Sequence, residues 1–124
     1  MKILKCEGCG KIVILEKESA CPTKCCGENM VELVAGQTDG AAEKHVPVVE
    51  VDGNIITVTV GSVEHPMLDN HYINFILLVT EDGYQVKTLK PGDAPKAVFA
   101  IAPGKKAIAA YEYCNLHGLW KTEI

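Results

Sequence analysis

Five of the six cysteines lie between Cys6 and Cys26, in a stretch that offers little else to fold around. Cys6-Glu7-Gly8-Cys9-Gly10 reads as a knuckle-like turn, whose glycines let backbone N–H groups approach thiolate sulfurs. Lys11 to Glu18 is predicted as a strand, with Ile12, Val13, Ile14 and Leu15 apolar. A second cysteine-bearing turn follows, Cys21-Pro22-Thr23-Lys24-Cys25-Cys26-Gly27, and then a short closing strand over Met30 to Val34. A unit this small cannot bury enough apolar surface to stand alone, so its folding calls for a staple, and a metal cross-link supplies one.

The thiolate set is less settled than the presence of a metal. C-x-x-C joined to a second cysteine pair signals a tetrathiolate site. Zinc ribbons repeat C-x-x-C, however, and here the second half is the adjacent pair Cys25-Cys26. Successive side chains on a strand point to opposite faces. Two adjacent ligands therefore require a tight turn, which Gly27 suits. Cys21 competes, because Cys21 and Cys25 could also pair, and spacing alone does not decide between them. The chain starts Met-Lys-Ile-Leu-Lys-Cys, too short an apolar run for a secretory signal, and no apolar stretch is long enough to span a bilayer. A cytoplasmic protein is expected, and in that compartment cysteine pairs more often hold metal than form disulfides. A net charge of -4 without a basic run argues against nucleic acid as a partner.

Gly36 to Ala42 is small, polar and glycine-containing, and reads as a linker. From Pro47 the pattern is all-β. Val48 to Val51 and Asn54 to Val60 flank Asp52-Gly53, a hairpin signal, and Ile56, Val58 and Val60 share one face. Further strands are predicted over Tyr72 to Thr80, Tyr84 to Leu89, Lys96 to Ala102, Lys106 to Tyr113 and Leu119 to Glu123. Short strands at this spacing, with turn signals between them and no helical period, predict a sandwich of about seven strands.

The remaining cysteine and all four histidines fall between those strands. Tyr113-Cys114-Asn115-Leu116-His117-Gly118 holds a thiol and an imidazole in one connection, His45 precedes Val46-Pro47 at a strand entrance, and His65 and His71 flank Pro66-Met67-Leu68-Asp69-Asn70. On a straight strand the last two would stand roughly 20 Å apart. Donor atoms sharing one ion lie within about 4 Å of each other, so the segment must loop back if both bind. Loops at one end of a sandwich can converge, and a shared metal site competes here with five scattered structural side chains.

Motifs along the whole chain resemble those of the desulfoferrodoxin family, the two-iron form of superoxide reductase. They are Cys6-x-x-Cys9 with Cys25-Cys26-Gly27, Glu43-Lys44-His45-Val46-Pro47, Gly61-Ser62-Val63-Glu64-His65-Pro66-Met67 with His71, Leu89-Lys90-Pro91-Gly92-Asp93-Ala94-Pro95, and Tyr113-Cys114-Asn115-Leu116-His117-Gly118. The resemblance implies an all-β chain in two domains. Residues 1-35 would be a desulforedoxin-like, metal-stapled unit, and residues 36-124 an immunoglobulin-like seven-stranded β-sandwich carrying the catalytic iron. It implies two iron ions per chain, one held by Cys6, Cys9, Cys25 and Cys26, the other by His45, His65, His71 and His117 in a plane with Cys114 axial. Cys21 has no part in that pattern, and Tyr72 stands where the family often carries Trp.

The implied activity is one-electron reduction of superoxide to hydrogen peroxide. Five ligands leave a sixth position for the anion, a count that disfavours zinc, which prefers four. An axial thiolate pushes electron density onto iron, here favouring release of peroxide. Lys44 is implied to attract superoxide to an otherwise acidic protein, and Glu43 to occupy the sixth position of the resting ferric iron. The first iron is expected to relay electrons, with a purely structural role as the competitor. The family further implies a homodimer and a small redox donor such as rubredoxin, without a membrane. Two other classes compete with the enzyme. One is a cupredoxin-like electron carrier, which would use two histidines and one cysteine, usually with a weak axial Met. The other is a zinc-stapled interaction module with incidental histidines.

Overall fold

The computed structural model describes all residues from Met1 to Ile124. It divides into two compact units, Met1–Val34 and Ala35–Ile124.

In the first unit β1 (Lys2–Lys5) is the middle strand of a three-stranded sheet, between β2 (Ile12–Leu15) and β5 (Val31–Glu32). The sequence reading assigned no strand to Lys2–Lys5 and extended the other two too far. Each of those two pairs with β1, and the ladders stop at Lys2↔Leu15 and Lys5↔Val31. The buried apolar residues here are Ile3, Leu4 and Cys6, which is too little to hold a fold without a cross-link. A separate two-stranded ribbon pairs β3 (Lys24–Cys25) with β4 (Glu28–Asn29) across the dipeptide Cys26-Gly27. Both turn residues have positive φ, 54° at Cys26 and 76° at Gly27, the signature of a type I′ hairpin.

The second unit is a two-sheet antiparallel sandwich. One sheet has the order β10-β7-β6, from β6 (Pro47–Asp52), β7 (Ile55–Val60) and β10 (Lys96–Ala100). The other has the order β12-β11-β8-β9, from β8 (Ile73–Thr80), β9 (Gly83–Thr88), β11 (Ala107–Cys114) and β12 (Gly118–Glu123). Alternation works as the sequence predicts, with Ile56, Val58 and Val60 almost fully buried in one core cluster with Phe99 of the same sheet and Ile76 and Leu78 of the other. The first hairpin turn sits one residue on from the predicted dipeptide Asp52-Gly53, and the β8–β9 turn is equally short. Asp52 pairs with Ile55 and Thr80 pairs with Gly83, so the two-residue loops are Gly53-Asn54 and Glu81-Asp82.

Two expectations need correction. A single helical turn, α1 (Ala42–His45), stands where no helix was expected; His45 closes it, just before the strand entrance at Pro47 where the sequence places it. A four-residue helix is too short to impose a period on the sequence. The segment read as a linker is also anchored: Gly36 N–H donates to the Leu119 carbonyl at 2.9 Å, and the Thr38 hydroxyl donates to the His117 carbonyl.

Antiparallel pairing decides where the site forms. The start of β6, the end of β7, the start of β8, the end of β11 and the start of β12 all lie at one end of the sandwich, as the pairs Pro47↔Val60, Ile73↔Cys114 and Cys114↔Gly118 require. Every histidine sits beside one of these strand ends.

Candidate metal centres

Cys6, Cys9, Cys25 and Cys26 bring their sulfurs together in the first unit, while Cys21 is exposed and lies outside the group. The competition left open by spacing therefore falls to the adjacent pair. The I′ turn is what makes that pair usable: with Cys26 in the left-handed region, its side chain swings to the same side as that of Cys25. The separations are 3.6 Å for Cys9 Sγ to Cys25 Sγ and 4.0 Å for Cys25 Sγ to Cys26 Sγ. A tetrahedron of bonds near 2.3 Å has edges of about 3.8 Å, so the spacing suits a tetrathiolate ion. Gly8 is tightly enclosed, since a Cβ there would stand 3.1 Å from the Cys26 Cβ.

The thiols are also unequal. Hydrogen bonding from the Cys9 backbone, aided by the Cys25 and Cys9 side chains, lowers Cys6 to about 6, while sharing a site with Cys6 and Cys9 pushes Cys25 up to about 12. Sulfurs this close resist becoming negative together, and a cation among them would remove that penalty.

The second cluster comprises His45, His65, His71, His117 and Cys114, whose ligand atoms lie within 4.8 Å of one another. The imidazoles form a closed ring of near-perpendicular neighbours. Centroids are 4.7 Å apart for His45–His65 and His65–His71, 5.1 Å for His71–His117 and 4.8 Å for His117–His45. Interplanar angles run from 75° to 86°. His45 Nε2 is 3.2 Å from His65 Nε2 and 3.1 Å from His117 Nδ1. Four nitrogens at the corners of a square around one ion, with bonds of about 2.1 Å, would have edges of about 3.0 Å.

The outward nitrogens select the tautomers. His45 Nδ1 donates to the Ala41 carbonyl at 2.8 Å, and His65 Nδ1 donates to the Pro66 carbonyl at 2.7 Å. Each ring thus presents a bare Nε2 lone pair to the centre. His71 Nε2 is buried without any partner. Lone pairs facing each other at this distance, plus a fourth buried nitrogen without a protein partner, fit a cation held among them. Burial holds His65 down to about 4 and lowers His45 and His71 as well, so the rings are neutral and ready to coordinate near pH 7.

Each ligand is fixed by its connection. His71 is brought back toward His65 by a reversal in which Leu68 and His71 exchange backbone hydrogen bonds of 2.9 and 3.1 Å. This supplies the loop that the spacing demanded. Cys114 is fully buried as the last residue of β11, and its Sγ lies 3.8 Å from His117 Nδ1. Burial raises its pKa, opposed by the Leu116 and His117 backbone groups that hydrogen-bond the sulfur. Coordination is what renders so buried a thiol anionic.

Glu43 and Lys44 are exposed on α1. The Lys44 charge reaches His71 and helps lower its pKa, and Glu43 acts on His45 in the opposite sense. Lys44 also lines an open cleft of about 560 Å³ with Glu64, His65 and Asp93. The helical turn is held from below by the Gly61-Ser62-Val63 turn. Val63 N–H donates to the Glu43 carbonyl at 2.8 Å, and a Cβ on Gly61 would meet that oxygen at 2.7 Å.

Two residues escaped the sequence reading. The Asn115 carboxamide accepts from Tyr72 N–H and donates to the Asn70 carbonyl, at 2.9 and 3.1 Å. Glu112 is fully buried with neither carboxylate oxygen partnered, and burial pushes its pKa up to about 9. Strand alternation could have found it, because Ala110, Glu112 and Cys114 share one face.

Comparison with known proteins agrees with this geometry. The desulfoferrodoxin family model matches residues 37–123. A desulfoferrodoxin of Nitratidesulfovibrio vulgaris is 50% identical over 122 residues, covering 98% of this chain and 95% of that protein. A superoxide reductase of Pyrococcus horikoshii is 35% identical over 103 residues, covering 69% of this chain and 90% of that one. Among solved structures, the superoxide reductase from Treponema pallidum superposes with a TM-score of 0.82 at 36% identity, covering 99% of this chain and all of that one.

Proposed function

The chain belongs to the desulfoferrodoxin family, and from that premise we propose that it is a superoxide reductase. It takes one electron and two protons per superoxide and yields hydrogen peroxide. The observation that carries this reading is the closed ring of four imidazoles with a buried thiol beside it. That donor set fits iron, with four rings in a plane and one sulfur. It leaves two histidines too many for a cupredoxin and one ligand too many for a zinc staple.

Iron held by His45, His65, His71, His117 and Cys114 supplies the electron and one open position for a small anion. The protein's own residues do the rest. Ala41 and Pro66 carbonyls fix two of the rings, so little reorganisation accompanies the change of iron charge. Cys114 would hold the iron through a thiolate from within the apolar core, where water does not compete for its sulfur. Lys44 draws superoxide toward the cluster against the overall negative charge, and holds a proton source beside the reacting oxygen. Glu43 lies on the same helical turn and is the carboxylate that would occupy the remaining position on the oxidised iron.

Cys6, Cys9, Cys25 and Cys26 hold the first iron, which staples residues 1-35 and passes electrons toward residues 36-124. A small donor of the rubredoxin kind, a homodimeric assembly and a cytoplasmic setting complete the reading, supported by family resemblance. No helix is long and apolar enough to cross a membrane.

The deciding experiment is stopped-flow mixing of the reduced, iron-loaded protein with superoxide, with metal content measured beforehand. The expected result is two irons per chain, oxidation of the second, and one peroxide per superoxide without dioxygen. Dioxygen release would identify a dismutase, and copper or zinc in place of iron would remove the premise.

A further inference from the structure

The five residues Gly36 to Gly40 are exposed and carry no ligand, yet they touch the ligand shell at three successive points. Gly36 N–H donates to the Leu119 carbonyl at 2.9 Å. The Thr38 hydroxyl donates to the His117 carbonyl, which also accepts from the Trp120 indole at 3.0 Å. At Gly40 a Cβ would stand 3.0 Å from Trp120, 3.2 Å from His117 Cβ and 3.3 Å from His45 Cε1. The backbone there lies against two ligands at once. Trp120 completes the layer by stacking on His45, with centroids 5.0 Å apart.

We propose that this segment is a positioning strap for the second iron site, with Thr38 as the residue that holds His117 in the ligand plane. His117 coordinates through Nδ1, the nitrogen nearer its own backbone, whereas His45 and His65 present Nε2. A ring bound through Nδ1 has little side-chain length with which to absorb backbone movement, so its main chain must be fixed. Gly118 directly follows, with φ of 80°, and Thr38 fills the space beside it: a Cβ on Gly118 would meet the Thr38 hydroxyl at 2.7 Å. The loop after His117 is therefore shaped around Thr38. Beyond Gly40 the strap runs directly into Ala41, whose carbonyl orients His45, and into the turn that carries Glu43 and Lys44. One short segment thus sets the attitudes of two ligands that come from distant parts of the sequence.

The inference rests on reading these five side chains as an iron site, and not on the reaction with superoxide. Its test is the rate at which the iron-loaded full-length protein gives up its second iron to a ferrous chelator, followed by that centre's own absorption. Thr38→Val keeps the shape and removes the hydroxyl, and Thr38→Ser keeps the hydroxyl. Loss should be on the order of tenfold faster in T38V, with a shifted charge-transfer band, and T38S should restore both. Equal rates and spectra in T38V and the unaltered protein would overturn the proposal. Equal impairment in T38S and T38V would overturn it too, because a hydroxyl that is still present in T38S would then not be what holds His117. Failure of the iron-site reading itself would look different, since the unaltered protein would then hold no second iron to release.

Discussion

Asn115 brackets His71: its side chain accepts from the N–H of the residue after the histidine and donates to the carbonyl of the residue before it. Asn115 N–H adds a third bond, to the Tyr72 carbonyl at 3.2 Å. The loop carrying Cys114 and His117 is thereby locked to the loop carrying His71, whose own ring Nε2 has no partner within the protein. Asn115→Ala removes both side-chain bonds and leaves the donors and acceptors at the surface, where water can replace them. The fold should survive, and affinity for the second iron should fall by about 10- to 100-fold, the usual cost of losing an outer-shell partner. Chelator competition measures this, with the first centre's absorption as an unaffected reference. Unchanged affinity would mean that the reversal at Leu68–His71 holds the ring unaided.

Cys114→Ser tests the axial donor. Serine is isosteric but a harder, far less electron-releasing ligand, and it is fully buried at this position. The thiolate-to-iron charge-transfer absorption should disappear and superoxide reduction should fall sharply, with the four imidazoles still able to bind metal. Survival of that band would show that another sulfur supplies it.

Lys44→Ala removes the ammonium nearest the cleft beside His65. Iron should be retained, because Lys44 is exposed and supplies no ligand atom. The second-order rate with superoxide should drop on the order of tenfold at low ionic strength, and the gap should close as salt is added. A rate that is unchanged at low salt would remove the steering role.

The sandwich was legible in the sequence because it rests on a strong local rule, whereas spacing left the ligand set open and the family resemblance supplied it. Alternation marks β7 through Ile56, Val58 and Val60, and the separation of His65 from His71 demands a reversal between them. What stayed hidden depends on tertiary contact. Gly36 to Gly40 has the composition of a free linker, and only its seat against His117 and Trp120 makes it a strap. Asn115 resembles any loop asparagine until the neighbouring loop is in place. Lys2–Lys5 has two lysines in four residues and becomes a central strand because Ile3 and Leu4 are the core of a very small unit.

Acid should strip the second iron before the sandwich unfolds. His65 is held down to about 4 and His45 and His71 also lie below their ordinary value of 6.5, in each case by burial first. Above about pH 6.5 these rings are neutral in folded and unfolded chains alike. As pH falls from there toward 4, the unfolded chain takes up protons that the folded one resists, so folded stability declines with falling pH. Ligation has the same sign, since only neutral imidazole coordinates. Iron release followed by absorption should therefore begin below about pH 6 and be largely complete near pH 4. Retention of iron well below pH 4 would contradict the assignment of four histidine ligands.

Glu112 predicts the opposite pH dependence for folding. Its carboxyl is enclosed beside Ala110 and Cys114 with both oxygens unpartnered, and burial raises its pKa to about 9. The folded protein thus keeps a proton that the unfolded chain, with an ordinary carboxyl near 4.5, gives up. Between those two values the unfolded state binds fewer protons, so this group makes stability fall as pH rises from about 4.5 to about 9. Replacing a buried, unsatisfied polar group by an apolar one of similar volume removes its desolvation cost. Glu112→Leu should accordingly raise stability near pH 8, by about 1–3 kcal/mol. It should also flatten the alkaline decline. Denaturant melts of both proteins at pH 6 and pH 8.5 check this, and a gain that does not grow with pH would show that the carboxyl finds a partner.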